Sequence, residues 1–129
     1  MPFVPTITQV SADSRGEIYS ISLPDNRELM LLHSVKGSMR GGHSHNVPEA
    51  VMVLTGKMRY RKKHPHGKRA ETEFTMKAGE CSPTAAHTDH MAEFLEDTWL
   101  VEMKDARIGE WTQALYQPWR AEVEANAKI

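Results

Sequence analysis

Between Gly16 and Lys104 the chain is cut into short β-rich runs, GEIYSISL, ELMLLHSV, EAVMVLTG, KMRYRKK, ETEFTM and TWLVEM, parted every several residues by Gly, Pro, Asp or Asn. Many short strands with turn signals between them close into a sandwich or a barrel. The stretch Ala50 to Leu54 is apolar at every position instead of alternating. That pattern predicts a strand covered on both faces, one by the core and the other by a subunit interface. Lys57 to Met76 reads as a hairpin whose tip, HPHGKR, takes its turn geometry from Pro65 and Gly67. Near the end, Pro118 precedes WRAEVEANAKI, a first-turn proline before helix formers, which predicts a short terminal helix without chemistry of its own.

A chain of 129 residues is the size of one domain with one core, so residues 1–129 are read as a single unit. Sixteen basic and 17 acidic residues leave a net charge of −1. That balance offers no field for gripping nucleic acid or an anionic membrane, and points to a small-molecule partner. No apolar run is long enough to span a membrane and MPFVPTITQV lacks the basic start of a signal peptide, which makes the cytoplasm the expected compartment. One cysteine excludes an intrachain disulfide and a four-cysteine zinc module; Cys81 is expected as a small buried hydrophobe in a strand. The eight methionines lie mainly in apolar runs and read as core filler.

The seven histidines are the unusual part of the composition. On a strand, His43 and His45 project from one face about 7 Å apart at the backbone, which suits two imidazoles converging on one ion. Glu49, at the start of the apolar run, aims a carboxylate into the same interior, where it needs a counter-charge. His87 and His90 follow the turn at Ala78-Gly79-Glu80. Three apart on a strand they face opposite sides, so one of the two can complete the set.

The segment Gly37, five residues, His43-x-His45, three residues, Glu49, six residues, Gly56 resembles the first motif of the cupin superfamily at every spacing. Counted from Gly79, the family's second-motif histidine falls on His90, with Ala85, His87 and Phe94 standing where that pattern has Pro, Gly and Asn. The resemblance runs from about Asp13 to Met103. It implies an all-β fold, a double-stranded β-helix or cupin jelly-roll barrel, with the barrel core at about 13–104 and a C-terminal extension, carrying the short helix, at 105–129. It also implies one divalent metal held by His43, His45, Glu49 and His90. DSRGEIYSI and MRGGHSH further resemble sugar-nucleotide-modifying cupins, which implies proton abstraction beside a carbonyl. In metal-free members the paired histidines act as acid and base; here Glu49 completes a ligand set and points to metal.

Nitrogen and oxygen ligands with open positions suit Zn, Fe, Mn, Ni or Cu alike. His87, at the pocket edge, Tyr60, on a barrel strand, and Arg40, beside the motif, are the candidate catalytic residues: acid/base group, proton donor and anchor for an anionic substrate. Asp89, Glu93 and Glu102 flank the site in sequence and receive no role. The basic stretch from Arg59 to Arg69, with Arg61, Lys62, Lys63 and Lys68, reads as a solvated loop in preference to a phosphate clamp. His33, His64 and His66 are expected as structural or surface residues. Together these point to a metal-dependent isomerase or epimerase of a sugar or sugar-like hydroxy-carbonyl compound, most simply a homodimer. The alternatives are a metal-dependent dioxygenase and a non-catalytic metabolite-binding module.

Overall fold

The computed structural model describes residues 4–24, 27–64, 71–105 and 111–127. Eleven strands appear among them: β1 (Thr6–Asp13), β2 (Gly16–Ser22), β3 (Glu28–Ser34), β4 (Met39–His45), β5 (Glu49–Thr55), β6 (Lys57–Lys63), β7 (Thr72–Lys77), β8 (Cys81–Thr84), β9 (Asp89–Phe94), β10 (Thr98–Lys104) and β11 (Gln113–Leu115). One helix, α1 (Gln117–Ala127), follows them. The strands pair antiparallel in two sheets, ordered β1-β2-β3-β10-β5-β8 and β11-β4-β9-β6-β7. From β3 to β6, and again from β7 to β10, successive strands alternate between the sheets, so the chain winds around one interior. That winding is the double-stranded β-helix, and the all-β expectation with its C-terminal helix holds.

Alternation sorts each strand's side chains between that interior and the outside. Met58 and Tyr60 of β6 and Val51 and Val53 of β5 point inward, packing with Leu32, Phe94 and Leu100 in the main core. Each such large apolar side chain contributes about 1.5–3 kcal/mol by leaving water. On β5 the other parity, Ala50, Met52 and Leu54, faces outward, the first two half-buried and Leu54 exposed. Gly56 makes the turn from β5 to β6 with φ 95°, and a Cβ there would collide with the Asp97 carbonyl and Thr98.

Two expectations need correction. Cys81 lies on β8 as foreseen but is exposed, because Ser82 and Thr84 occupy the inward parity of that strand. Lys62 is buried instead of solvated: it shares the inward face of β6 with Met58 and Tyr60, and its Nζ donates to Ser82 Oγ at 2.8 Å and to the Pro83 carbonyl. Arg59 and Arg61 sit on the outer face of that strand, paired with Glu73 and Glu93 and with Glu71 and Glu122. The hairpin holds as β6 and β7; its tip, residues 65–70 with His66, Lys68 and Arg69, lies outside the described residues.

The C-terminal extension packs closely on the barrel. The edge strand β11 pairs with β4, opposing Gln113 to His45 and Leu115 to His43. Helix α1 packs Trp119 and Val123 against Met91 of β9, with the Arg61 guanidinium 4.8 Å from the centre of the Trp119 ring. Arg120 Nη1 donates to the Gly41 carbonyl at 3.1 Å. Gly42, with φ 78°, lets the helix come this close, since a Cβ there would stand 2.9 Å from Arg120 Cα. The extension is therefore part of the barrel wall, and Arg120 reaches the cavity that the wall encloses.

Candidate metal centre

A cavity of about 230 Å³ opens between the sheets, lined by His43, His45 and His90 beside Tyr60, Arg40 and Glu102. His43 and His45 share the inward parity of β4, as their spacing required, and His90 comes from β9, where it is the cross-strand partner of His43. One ligating nitrogen from each of the three lies within 4.8 Å of the other two. Arg40 is three residues before His43 and on a regular strand would face the opposite way. A bulge between Gly41 and His43 inserts one residue into β4, and both side chains reach the interior.

Glu49 opens β5 beside this cluster, its side chain almost wholly buried. Its Oε1 stands 3.0 Å from His90 Nε2 and its Oε2 3.3 Å from His45 Nδ1. The hydrogen-bond network around the rings decides which nitrogens carry protons. His90 Nδ1 lies 3.0 Å from the Thr88 carbonyl, which can only accept, so Nδ1 donates and Nε2 is left with a lone pair toward Glu49. His45 Nε2 lies 3.3 Å from Gln113 Oε1, and donation there leaves Nδ1 with a lone pair toward the other carboxylate oxygen. Both oxygens of Glu49, and Nδ1 of His43 and His45, are buried without a hydrogen-bond partner. Acceptors facing acceptors in a buried site call for a cation between them, and a divalent metal fits the donor set.

The electrostatics divide the cluster. Burial, reinforced by the neighbouring His90 and His45, pushes the His43 imidazole down to about 3, which keeps it neutral and able to ligate. Burial alone would raise the Glu49 carboxyl, but the imidazoles of His45 and His90 and the Lys104 charge hold it below its ordinary range. Burial disfavours a charged His90, but the Glu49 carboxylate outweighs it and raises that imidazole, so a proton on Nε2 and a metal ion compete for the same position beside Glu49.

The other expected site residues divide. Tyr60 lines the cavity with its hydroxyl 2.9 Å from Thr84 Oγ1, and burial raises its phenol well above the ordinary value. The inward-facing Arg40 donates to Ser34 Oγ at 2.7 Å and to the His33 carbonyl at 3.1 Å. Among the described residues no carboxylate is within ion-pair distance of it, and burial, with the like charge of Arg15, lowers it to about 10. His87 does not reach the cavity: it is exposed in the turn between β8 and β9, where its backbone N–H donates to the His45 carbonyl at 2.7 Å. Its φ of 63° explains why the cupin pattern has glycine at this position. His33 is structural, 2.7 Å from Glu17 and stacked on Trp99, while His64 is exposed.

Several lining residues carried no role in the sequence reading. Glu102 and Lys104 of β10 face inward, with Lys104 Nζ 3.8 Å from both Glu102 and Glu49. Burial and the Glu49 charge raise the Glu102 carboxyl. Their signal was present in TWLVEMK, where Thr98, Leu100, Glu102 and Lys104 share one parity. Asp89 and Glu93 do not line the cavity. At the mouth, Trp111 meets the His45 ring edge-on at 5.4 Å and Lys104 Nζ stands 4.5 Å from the centre of the indole.

No protein-family model matches the chain, and no curated protein sequence does. Solved structures match its shape. The capsular polysaccharide assembling protein CapF from Staphylococcus aureus is 24% identical with a TM-score of 0.62, over 81% of this chain and 28% of that one. Oxalate decarboxylase from Bacillus subtilis, with its Mn(II) centres, is 19% identical with a TM-score of 0.70, over 94% and 34%. The 7S globulin of Momordica charantia is 11% identical with a TM-score of 0.71, over 84% and 35%. The chain has the cupin fold. It spans 28% to 35% of the length of these cupin structures, and the likeness concerns the barrel. Among the described residues no helix is long and apolar enough to cross a membrane.

Proposed function

We propose that this cupin binds one divalent metal through His43, His45, Glu49 and His90 and isomerises or epimerises a small hydroxy-carbonyl compound. The observation that carries the reading is the cluster of three imidazoles whose lone pairs, with the Glu49 carboxylate, converge in one buried cavity. A metal bound there supplies Lewis acidity toward a substrate carbonyl oxygen. The residues of the chain supply the rest. Arg40, a buried cation without a carboxylate partner, holds the anionic or most polar end of the substrate. Tyr60, kept protonated by burial, donates a hydrogen bond to a substrate oxygen. Glu102 takes the proton from the carbon beside the carbonyl as the C–H electron pair moves toward oxygen, then returns it to carbon.

The cavity, about 230 Å³, lies below the ~300–1,000 Å³ of drug-sized sites, which favours a single sugar ring or a shorter compound over a whole nucleotide. The shape of CapF, a capsular polysaccharide assembling protein, supports a sugar-like substrate, and the Mn(II) centres of oxalate decarboxylase support a metal in such a barrel. Zn, Fe, Mn, Ni and Cu all suit the donor set, and a cytoplasmic setting accords with the sequence.

Incubating metal-loaded protein with a panel of aldoses, ketoses and hydroxy acids in D2O tests the reaction. The reading expects deuterium at the carbon beside the carbonyl, lost in Glu102→Gln. Oxygen consumption by the iron-loaded protein in place of exchange would establish the dioxygenase, and tight binding with neither reaction the metabolite-binding module.

A further inference from the structure

The charges that line the cavity are unevenly compensated. Lys104 stands among carboxylates, 3.8 Å from both Glu102 and Glu49, whereas Arg15, Arg40 and Arg120 line the same cavity with fewer partners. These arginines come from the β1–β2 turn, from β4 and from α1, and they meet on one stretch of β4. Strand β11 stops at Leu115, opposite His43, so the edge of β4 before His43 has no strand partner on that side. Arg15 Nη1 donates to the Met39 carbonyl at 3.5 Å and Arg120 Nη1 to the Gly41 carbonyl at 3.1 Å, with Arg40 between them in the chain. Three guanidiniums are thereby gathered on three consecutive residues of a chain whose net charge is −1.

Their counter-charges fall short. Arg15 is held by Asp13 at 2.6 Å and Arg120 by the exposed Glu124 at 2.9 Å, while Arg40 has no carboxylate among the described residues. Arg40 commits N–H groups to Ser34 Oγ and the His33 carbonyl, and Arg120 to Glu124 and the Gly41 carbonyl. A guanidinium has five N–H donors, so both keep donors to spare. Arg15 is near enough for its like charge to depress Arg40. Cations held together at a cavity wall, with unused donors, are an arrangement that an oxyanion relieves.

We propose that Arg120 of the C-terminal helix is a specificity-determining residue: with Arg40 it restricts the substrate to hydroxy-carbonyl compounds that bear a phosphate at the end remote from the carbonyl. This rests on the reading of the histidine cluster as the reacting end. Donor geometry favours phosphate over carboxylate. One guanidinium fork saturates a carboxylate, whereas a phosphomonoester offers three terminal oxygens and nearly two charges to a pair of forks. The spacing fits as well. Gly41, which holds Arg120, precedes His45 by four residues that include the bulge, so at about 3.3 Å per residue the two ends of the site stand roughly 10 Å apart. A short phosphorylated chain bridges that span within a cavity of about 230 Å³. The role also gives the docking of α1 a consequence for substrate choice. Gly42 admits the helix backbone to the wall at Arg120, and the extension thereby adds to the cavity a group that the barrel strands do not supply. Glu124, one turn further along α1, competes with the phosphate for the same guanidinium.

Calorimetric titration of inorganic phosphate, and of acetate as the carboxylate probe, into the chelator-treated full chain tests the proposal. It reads the subsite without turnover, so its outcome is separate from that of the deuterium-exchange panel. The wild type is expected to bind phosphate about tenfold more tightly than acetate, and Arg120→Ala to weaken phosphate binding by about tenfold or more. Arg120→Lys, which keeps the charge and loses the fork, should weaken it less. Glu124→Ala removes the competing carboxylate and should tighten it. Each variant should keep the wild-type circular dichroism spectrum. A wild type that binds no phosphate, or binds acetate as tightly, overturns the proposal. So does a folded Arg120→Ala with wild-type phosphate affinity, or a Glu124→Ala that loses affinity as Arg120→Ala does, since Arg120 would then serve only to clasp the helix.

Discussion

Nε2 of His90 and Oε1 of Glu49 stand 3.0 Å apart with the Nδ1 side of the imidazole committed to the Thr88 carbonyl, so in the neutral ring two acceptors face each other beside the cavity. A cation between them resolves the conflict. Glu49→Gln keeps the shape but removes the anionic ligand. It is expected to weaken Zn²⁺ or Mn²⁺ binding by at least about 100-fold, measured by competition with a chromogenic chelator.

Gln113 fixes the His45 ring from outside the ligand set. Gln113→Ala leaves the four ligands in place and frees the ring's outer nitrogen, so metal affinity should fall roughly 10-fold while thermal stability without metal stays near wild type. Unchanged affinity in the same chelator competition would show that Gln113 does not orient His45.

Gly42 ties the bulge of β4 to α1. Gly42→Ala places a Cβ at 2.9 Å from Arg120 Cα on a residue with φ 78°, and the helix must move. A loss of about 2–3 kcal/mol is expected, or roughly 10 °C in Tm. Gly37, with φ 85° but open space around a Cβ, separates strain from collision: Gly37→Ala should cost clearly less in the same calorimetric scan.

Tyr60 sets an alkaline limit. Its folded-state value is raised, so the unfolded chain ionises first as pH climbs through about 10, binds fewer protons than the folded chain, and is favoured. Tm should drop above pH 10 in the wild type. Tyr60→Phe should lose about 1–3 kcal/mol at neutral pH, because Thr84 Oγ1 is left unpaired, yet show a shallower alkaline decline.

The site was legible where local period alone decided it. His43 and His45 two apart on β4, and Glu49 at the head of an apolar strand, needed only alternation and burial to converge. Glu102 and Lys104 shared the parity of Leu100, and Lys62 that of Met58 and Tyr60; the pattern held them, but their charge argued for the surface. Arg40 could not be placed by parity, since a bulge at two positive-φ glycines reverses the face within β4. Trp111, Gln113 and Arg120 were hidden for another reason: the pairing of β11 with β4 and the docking of α1 join residues about 70 to 80 positions apart, and no local period encodes such contacts. His87 was placed at the pocket edge because its residue type suggested acid/base chemistry, whereas its position is set by a left-handed turn.

The metal is the centre of this account, and its stoichiometry is the measurement that bears on it most directly. Chain purified without a histidine tag, loaded with metal, and then passed through a desalting column should retain one equivalent by plasma emission analysis, against less than about 0.1 for His45→Ala under the same treatment. A wild type that retains none, or a His45→Ala variant that retains a full equivalent, would contradict it.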